Sequence, residues 1–298
     1  MKLFKYILFS VLLLLGSVGY SQESLISNGA NIIKVGNNLL TIATYDVDAQ
    51  ALFHRMAVQP DATRKTLIND FIVGIKSDLS ISNLSDAFDA LHFIAGHNQA
   101  DTRLNWVNSS HTLIEVNSPT WTLDRGYTGD GASMYLDMNY NPSSQGVNLT
   151  QDNLSIGAYS RSNVDDGSYT IGNFDGAGST DVIPRTDGNF LARAASITST
   201  GVAVANSLGL SVVARENDNA NQKTYKNGAL QNTDAAASAP HINLTFYLLA
   251  LHQPVGGTLH TTRQLAFSFV GSGTLINQTN LFTRVEVYLD AIGAGVVP

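Results

Sequence analysis

The sequence has 298 residues, a formal net charge of −7 and no cysteine. The lack of cysteine excludes a thiol nucleophile, thiolate metal sites, disulfides and a lipid-modified cysteine. The acidic balance argues against nucleic acid or anionic membrane as a partner, because both attract basic proteins. Only 14% of the residues are charged, so the surface must hydrogen-bond largely through Asn, Ser, Thr and Gly. Such surfaces are typical of glycan-binding and self-assembling β proteins.

Residues 1–22 have the pattern of a secretory signal peptide. Lys2 and Lys5 form a basic start, residues 7–15 are apolar, and residues 16–22 are small and polar. The apolar run is too short to span a membrane. We therefore expect a secreted or cell-surface protein that is exported through this segment and keeps no membrane span after its removal.

The rest of the chain divides into two parts. Residues 23–100 are predicted to form lead-in strands, at 32–35 and 39–43, followed by a helical region. Residues 101–298 are predicted to form a β-sandwich domain that ends in a helix over 274–292, because short β-branched or aromatic runs alternate there with Gly, Asn, Asp and Ser turns. No Pro-rich linker separates the parts, so the helices are expected to pack on or beside the sandwich.

Three helices are expected in the first part. Asp46 or Asp48 can cap the first, and Asp61 can cap the second. The third is predicted over residues 85–96, with Gly96 as its C-cap. Its apolar face would contain residues at helical spacing: Phe88, Leu91, His92 and Ala95.

Short strands dominate the second part. They are predicted over residues 111–116, 121–123, 133–138, 153–161, 169–173, 181–185, 189–194, 210–215, 223–226, 242–249 and 264–269. Asn227-Gly228 directly follows one of these runs and predicts a type I′ hairpin. So many antiparallel strands require two packed sheets or a closed barrel.

The entrance to the sandwich is the segment GYTGDGASMYLDMNYNP. Gly126, Gly129 and Gly131 are placed where the backbone needs positive φ or a close approach to another strand. Beyond them, alternation puts Tyr135 on the face opposite Leu136. Tyr135 is therefore expected to be the more exposed of the two.

The order of short phrases along the chain resembles a known group of proteins. These phrases are YDVDAQ, FDALHFIAGHNQADTRLNWV, GYTGDGASMYLDMNYNP, LSIGAYSRSN, TYKNG and TRQLAFSFVGSG, with a helix after them. The arrangement is similar to concanavalin A-like (LamG-like) jelly-roll proteins common in bacteriophage and metagenomic sequences. The resemblance implies a mainly β jelly-roll sandwich and a virion-surface, tail-associated or secreted recognition role. Phage structural proteins normally lack a signal peptide, so this one favours a bacterial secreted or cell-surface protein.

Catalysis on this fold requires neighbouring carboxylates. Retaining glycoside hydrolysis uses two that are about 5 Å apart, and in this fold they resemble Glu-x-Asp-x-x-Glu on one strand. The chain has four glutamates, and no two of them lie within a strand's length of each other. They are Glu23, Glu115, Glu216 and Glu286. A Gly-x-Ser-x-Gly elbow and a His-Glu-x-x-His zinc motif are also missing from the sequence.

Histidine metal sites are not expected either. His92 and His97 are five residues apart, which misses the spacing that puts two ligands on one helix face. His252 and His260 flank a loop, but no third ligand accompanies them. We interpret all four as structural or loop residues.

Calcium is favoured over zinc as a cofactor. Oxygen ligands cluster in the segment from Asp165 to Asp181, which also contains Asp166 and Asp175. Carboxylate and carbonyl oxygens are the ligands that calcium prefers. The spacing matches no defined calcium loop, and the alternative is that these aspartates are ordinary turn residues.

A glycan site requires aromatic rings beside planar polar side chains. The sequence offers one such set: Tyr135, Asn139, Tyr140, Tyr159 and Arg161. Trp121 is expected in the core instead. We therefore predict a secreted, non-enzymatic binding or surface-assembly protein, whose partners are extracellular polysaccharide, a surface glycan or copies of itself. The alternative is a polysaccharide-active enzyme, either a glycoside hydrolase or a lyase, on the same fold.

Overall fold

The computed structural model describes residues 45–298 and, before them, three strands. The chain divides into two compact units, Met1–Tyr45 and Asp46–Pro298. The strands form an antiparallel sheet in the first unit: β1 (Ser24–Ser27), β2 (Ala30–Val35) and β3 (Asn38–Ile42). Both predicted lead-in strands are confirmed, and the predicted signal peptide lies outside the described residues. Among the helices that the structure describes, none is long and apolar enough to cross a membrane.

The second unit contains four helices and seventeen strands. The helices are α1 (Val47–Arg55), α2 (Ala62–Leu79), α3 (Pro142–Gln145) and α4 (Gln278–Ala291). The strands are β4 (Phe88–Phe93), β5 (Ile114–Val116), β6 (Thr120–Thr122), β7 (Gly126–Thr128), β8 (Tyr135–Asp137), β9 (Asn153–Ser160), β10 (Ile171–Phe174), β11 (Ser179–Thr186), β12 (Asn189–Arg193), β13 (Val202–Ala203), β14 (Gly209–Glu216), β15 (Asn221–Lys226), β16 (Ala229–Ala235), β17 (Tyr247–Leu248), β18 (Leu251–Gln253), β19 (Gly256–Thr258) and β20 (Gln264–Gly271).

These strands form two large sheets. The eight-stranded sheet has the order β16-β15-β14-β9-β20-β7-β6, and β4 also pairs with β20. The nine-stranded sheet has the order β13-β12-β11-β10-β17-β8-β5, and β18 and β19 branch from β10. Their pairings are antiparallel except for β10 with β18. The fold is therefore mainly β, a jelly-roll type sandwich closed by a C-terminal helix, as predicted.

The core lies between the two sheets. Side chains from both inner faces form one apolar cluster, which includes Leu136, Leu154, Ile156, Ile171, Val182, Phe190, Val213, Leu248 and Val270. Burial of this apolar surface is the main stabilising contribution in a protein without disulfides.

One row of polar residues crosses the inner face of the eight-stranded sheet. Register pairing aligns His92, Ser268, Ala158, Ser211 and Lys226 on five neighbouring strands. The Nζ of Lys226 donates to Ser211 Oγ at 3.0 Å. Burial lowers the pKa of Lys226 to about 7 and that of His92 to about 4. Both side chains are thus held in an environment that disfavours charge.

A helical layer covers the outer face of the eight-stranded sheet. Phe93 of β4 has its ring centroid 4.7 Å from Phe71 of α2, 4.4 Å from Tyr288 of α4 and 4.8 Å from Phe267 of β20. Trp106 lies 4.5 Å from the same ring. This aromatic cluster joins α2 and α4 to the sheet and confirms that helices pack on the sandwich.

Of the three helices predicted in the first part of the chain, two are confirmed and one is wrong. Asp46 and Asp61 are the N-caps of α1 and α2. The helix predicted over residues 85–96 is instead the strand β4, and all six of its residues are buried. Since β4 has the core on one side and the helical layer on the other, both of its faces are buried, and the polar Asp89 and His92 are buried with them. A strand that is buried on both faces lacks the alternation of exposed and buried residues that distinguishes a strand from a helix.

The glycines at the entrance to the sandwich behave as predicted. Gly126 has φ +97°, and a Cβ there would lie 1.9 Å from the carbonyl oxygen of Leu265. A Cβ on Gly129 would lie 2.1 Å from the carbonyl oxygen of Thr261. The segment GYT is nevertheless strand β7 rather than part of a turn, because these close approaches bring it into pairing with β20.

Candidate functional site: the outer face of the nine-stranded sheet

The candidate site is built on the side of the nine-stranded sheet that faces away from the core. Leu136 and Leu248 point into the core, so their neighbours along β8 and β17 point outward. Register pairing then aligns one outward row across six strands: Arg193, Asp181, Gly172, Tyr247, Asp137 and Ile114. Adjacent strands are spaced about 4.8 Å apart, so Arg193 and Asp137 are about 19 Å apart along this row.

Four aromatic side chains at one end of the row form what we call the aromatic patch: Tyr135, Tyr247, His252 and His260. The rings of Tyr135 and Tyr247 stack at 4.3 Å and 23°, and those of Tyr247 and His252 at 3.8 Å and 6°. His260 lies 5.8 Å from Tyr135. Tyr247 is buried between its neighbours, whereas the other three are half-buried. The patch therefore offers partly accessible rings to a ligand.

A chain reversal brings His252 into this stack. After β17 the backbone turns at Leu249, which has φ +69°. Strand β18 then runs parallel to β10, with His252 opposite Asn173. Because the chain folds back between these consecutive strands, His252 of β18 lies beside Tyr247 of β17.

Two ionisable groups of the patch, His252 and Tyr247, have pKa values shifted toward their uncharged forms. Burial lowers the pKa of His252, an effect partly offset by its contact with Thr245 and by the nearby Asp137. The Nδ1 of His252 lies 2.8 Å from the carbonyl oxygen of Thr245 and must donate to it. Burial and a hydrogen bond with Tyr135 raise the pKa of Tyr247. The Tyr247 phenol and the His252 imidazole therefore both favour their neutral forms at neutral pH.

The other end of the row is a buried ion pair. Arg193 Nη2 lies 2.8 Å from Asp181 Oδ2, and it also donates to the Tyr169 hydroxyl at 2.7 Å. The guanidinium lies over the rings of Tyr169 and Phe174, at 6.0 and 5.7 Å. Burial raises the pKa of Asp181, and Arg193 opposes this shift.

The middle of the row is closed. Tyr169, Ile183 and Leu251 form a small apolar cluster of their own, apart from the main core. Asp181 is 1% exposed and Gly172 is buried. A ligand can therefore reach the aromatic patch with Asp137, but not the centre of the row.

The structure separates the five residues predicted to bind a glycan. Tyr135 is half-buried on the aromatic patch, and Asn139 is exposed just beyond β8. Tyr140 is fully buried and donates to Asp89 at 2.7 Å. Tyr159 is fully buried on the other sheet, where it donates to Glu286 at 2.8 Å. These two buried rings cannot stack on a sugar in this arrangement.

The fifth predicted residue, Arg161, is also distant from Tyr135. It follows β9 of the eight-stranded sheet, and its Nε donates to the carbonyl oxygen of Ala294 at 2.7 Å. Its guanidinium also donates to Gln264. Arg161 therefore holds the C-terminal segment rather than the outer face of the nine-stranded sheet.

The four predicted calcium ligands do not share one site. Asp165 lies 3.4 Å from Arg185, Asp166 contacts Arg263, and Asp181 pairs with Arg193. The fourth, Asp175, accepts the backbone N–H groups of a turn. Among the described residues, no group of three or more acidic or histidine side chains is placed to hold a metal ion. In this arrangement the four residues do not fit calcium, because arginines occupy three of them.

The described glutamates are held by tyrosines. Glu115 accepts from Tyr127 at 2.5 Å, Glu216 accepts from Tyr225 at 2.6 Å, and Glu286 accepts from Tyr159. Burial raises the pKa of Glu286. Glu115 is paired with Leu136, on the inner side of the sheet, and the other two belong to the eight-stranded sheet and its helical layer. None of the three faces the aromatic patch.

Sequence reasoning missed most of the aromatic patch. It found Tyr135 from strand alternation, but it treated His252 and His260 as loop residues and passed over Tyr247. More than a hundred residues separate Tyr135 from the other three. Because the stack depends on strand pairing and on the reversal at Leu249, no local pattern indicates it.

No protein-family model and no curated protein matches the chain. Solved structures do resemble it. One is a botulinum neurotoxin type C structure that concerns cell entry through two ganglioside molecules, with 12% identity, a TM-score of 0.47, and coverage of 70% of this chain and 52% of that one. Another is domain 4 of a GH43 extracellular arabinanase from Geobacillus stearothermophilus in complex with arabinotriose, with 12% identity, a TM-score of 0.41, and coverage of 65% and 98%.

A third is the CBM40 of a Ruminococcus gnavus IT-sialidase bound to α2,6 sialyllactose, with 11% identity, a TM-score of 0.38, and coverage of 59% of this chain and 98% of that one. This chain thus spans about half the length of the toxin chain that it resembles. The assignment of the fold rests on the two sheets themselves.

Proposed function

We propose that this protein is an exported, non-enzymatic binding protein that recognises an extracellular polysaccharide or a surface glycan. The observation that carries the proposal is the aromatic patch, with three half-buried rings beside the carboxylate of Asp137. Sugars bind where aromatic rings lie beside polar groups that fix their hydroxyls. The resemblance to concanavalin A-like, LamG-like proteins of phage and metagenomic sequences supports the same role at a cell or virion surface.

The hydrogen bonds between the described glutamates and tyrosines favour a binding function over glycan hydrolysis. Hydrolysis on such a fold requires two carboxylates about 5 to 9 Å apart in one cleft. Glu115, Glu216 and Glu286 each accept a tyrosine hydroxyl and do not face the aromatic patch. A polysaccharide-active enzyme would need a different pair of carboxylates at this surface.

A glycan array, probed with and without calcium, tests the proposal. We expect binding to at least one class of oligosaccharide. Because Tyr135→Ala removes a ring on which the sugar would stack, we expect it to weaken the affinity by about tenfold or more, which corresponds to about 1.4 kcal/mol. Tyr225→Ala is the matched control, because it removes the same ring from the eight-stranded sheet. Binding that both variants retain equally would place the site elsewhere, and an empty array would overturn the proposal.

Self-assembly is the second candidate, and strand β16 favours it. This seven-residue strand is the outermost strand of the eight-stranded sheet, and Leu230 on it is 52% exposed. Edge strands of this kind pair with other chains unless they are covered or charged. Measurement of the mass in solution, with Leu230→Lys as the disrupting variant, tests this. A monomer at high concentration would exclude it.

A further inference from the structure

Among the residues that the structure describes, Asp137 is a carboxylate without an ion-pair partner. It is half-buried on the outer face and lies opposite Tyr247 and Ile114 in register. Its Oδ1 accepts the backbone N–H of Asn139 at 2.8 Å. Within the described part of the chain, no ion pair includes Asp137. Its negative charge therefore stays available to act on a ligand.

Tyr247 and His252, which interact electrostatically with Asp137, do not neutralise it. Tyr135 and Tyr247 are phenols, and burial keeps His252 neutral at pH 7 by lowering its pKa. The arginine on the same row, Arg193, is about 19 Å away. It is already paired with the buried Asp181. The surface next to the aromatic patch is thus anionic.

The charge of the whole chain acts in the same direction. The formal net charge is −7, so an anionic ligand is repelled on approach as well as at the site. A neutral sugar is not repelled, and its hydroxyls can donate hydrogen bonds to the remaining carboxylate lone pairs.

We infer that Asp137 makes the aromatic patch selective for uncharged glycans and against glycans that carry carboxylates. This inference rests on the proposed function and adds the class of ligand to it. Asp137 acts as a specificity-determining residue. Its carboxylate accepts a hydrogen bond from a hydroxyl of a neutral sugar, and it repels a uronate or another acidic sugar held over Tyr135.

Matched probes test this inference. Neutral oligosaccharides from the array are compared with the same oligosaccharides oxidised to carboxylates at their primary alcohols. We expect the unaltered protein to bind the neutral form at least tenfold more tightly at low salt. High salt should reduce the difference in affinity between the neutral and the oxidised probes, since screening shortens the range of repulsion between exposed charges.

Asp137→Asn is the decisive variant, because asparagine retains an oxygen that can accept the Asn139 N–H while removing the charge. We expect this variant to reduce severalfold the ratio of the affinity for neutral probes to that for oxidised probes. Asp218→Asn is the control: it makes the same change in net charge at another side chain that accepts nearby backbone N–H groups, in the turn after β14.

The outcomes separate the two proposals. If the oxidised probes bind as tightly as the neutral ones, or if Asp137→Asn leaves the preference unchanged, the inference is wrong while glycan binding stands. If Asp218→Asn narrows the preference as much as Asp137→Asn does, net charge rather than Asp137 is responsible, and the inference is again wrong. If no probe of either kind binds, both the proposed function and the inference fail.

Discussion

The two sheets differ in what lies on their outer faces. Helices α2 and α4 cover the eight-stranded sheet, and its outward Tyr159 is fully buried against Glu286. On the nine-stranded sheet, Tyr135 is half-buried and stacks on other rings. The same residue type, placed outward on a strand of the same sandwich, is therefore a structural anchor on one sheet and a candidate ligand contact on the other. The role of the tyrosine depends on whether helices cover the strand.

The largest expected effect comes from disrupting the covered face. Phe93→Ala removes the ring that contacts Phe71, Tyr288 and Phe267. Truncation of a buried phenylalanine costs about 3–5 kcal/mol of unfolding free energy. We expect a loss in this range by chemical denaturation. Glycan binding measured below the unfolding transition should be unchanged, and a parallel loss of affinity would show that the two faces are coupled.

A smaller effect is expected from adding a methyl group at Gly172, on the nine-stranded sheet. A Cβ at Gly172 would lie 2.4 Å from the Cβ of Asp181 and 2.9 Å from its Cα. Overpacking of this kind typically costs about 1–3 kcal/mol. Gly172→Ala should therefore lower the free energy of unfolding by about that amount. Gly188→Ala, where no atom lies within 4 Å but φ is +77°, measures by comparison the cost of backbone strain without overpacking.

The third effect is expected between the sheets, and it depends on pH. Lys226 has a folded-state pKa of about 7, below its unfolded value of about 10.4. Between these values the unfolded chain binds a proton that the folded chain does not, so stability rises with pH from about 7 to about 10 and falls as pH drops toward 7. Lys226→Met should flatten this dependence and add about 1 kcal/mol or more at pH 7. Denaturation at several pH values, compared with Lys223→Met on the same strand, measures it. An unchanged slope would mean that Lys226 is solvated.

Local patterns were enough to predict most strands but not their environment. Strands β9, β14 and β20 each have eight residues, and their predicted bounds differ from the observed ones by no more than two residues at either end. The Asn227-Gly228 hairpin is confirmed, with φ of +50° and +77°. By contrast, β4 was predicted as a helix because burial on both faces removes the alternation that marks a strand.

The candidate site was predictable only in part for a related reason. Tyr135, Tyr140 and Tyr159 are equivalent in the sequence, each in or beside a strand. Their burial differs because Asp89 accepts from the Tyr140 hydroxyl while Glu286, on α4, accepts from that of Tyr159. These partners lie more than fifty and more than a hundred residues away, so sequence proximity carries no signal for them.

Strand β20 also determines when this protein can fold. It lies in the middle of the eight-stranded sheet, where Leu265 pairs with Tyr127 and Phe267 pairs with both Phe93 and Tyr159. Its partners β4, β7 and β9 all leave the ribosome well before it, and none of them can complete its ladder until β20 has been synthesised. Folding governed by such distant pairings is slow. Until β20 has paired with them, β4, β7 and β9 have open edges, so the chain is most vulnerable to aggregation before β20 takes its place in the sheet.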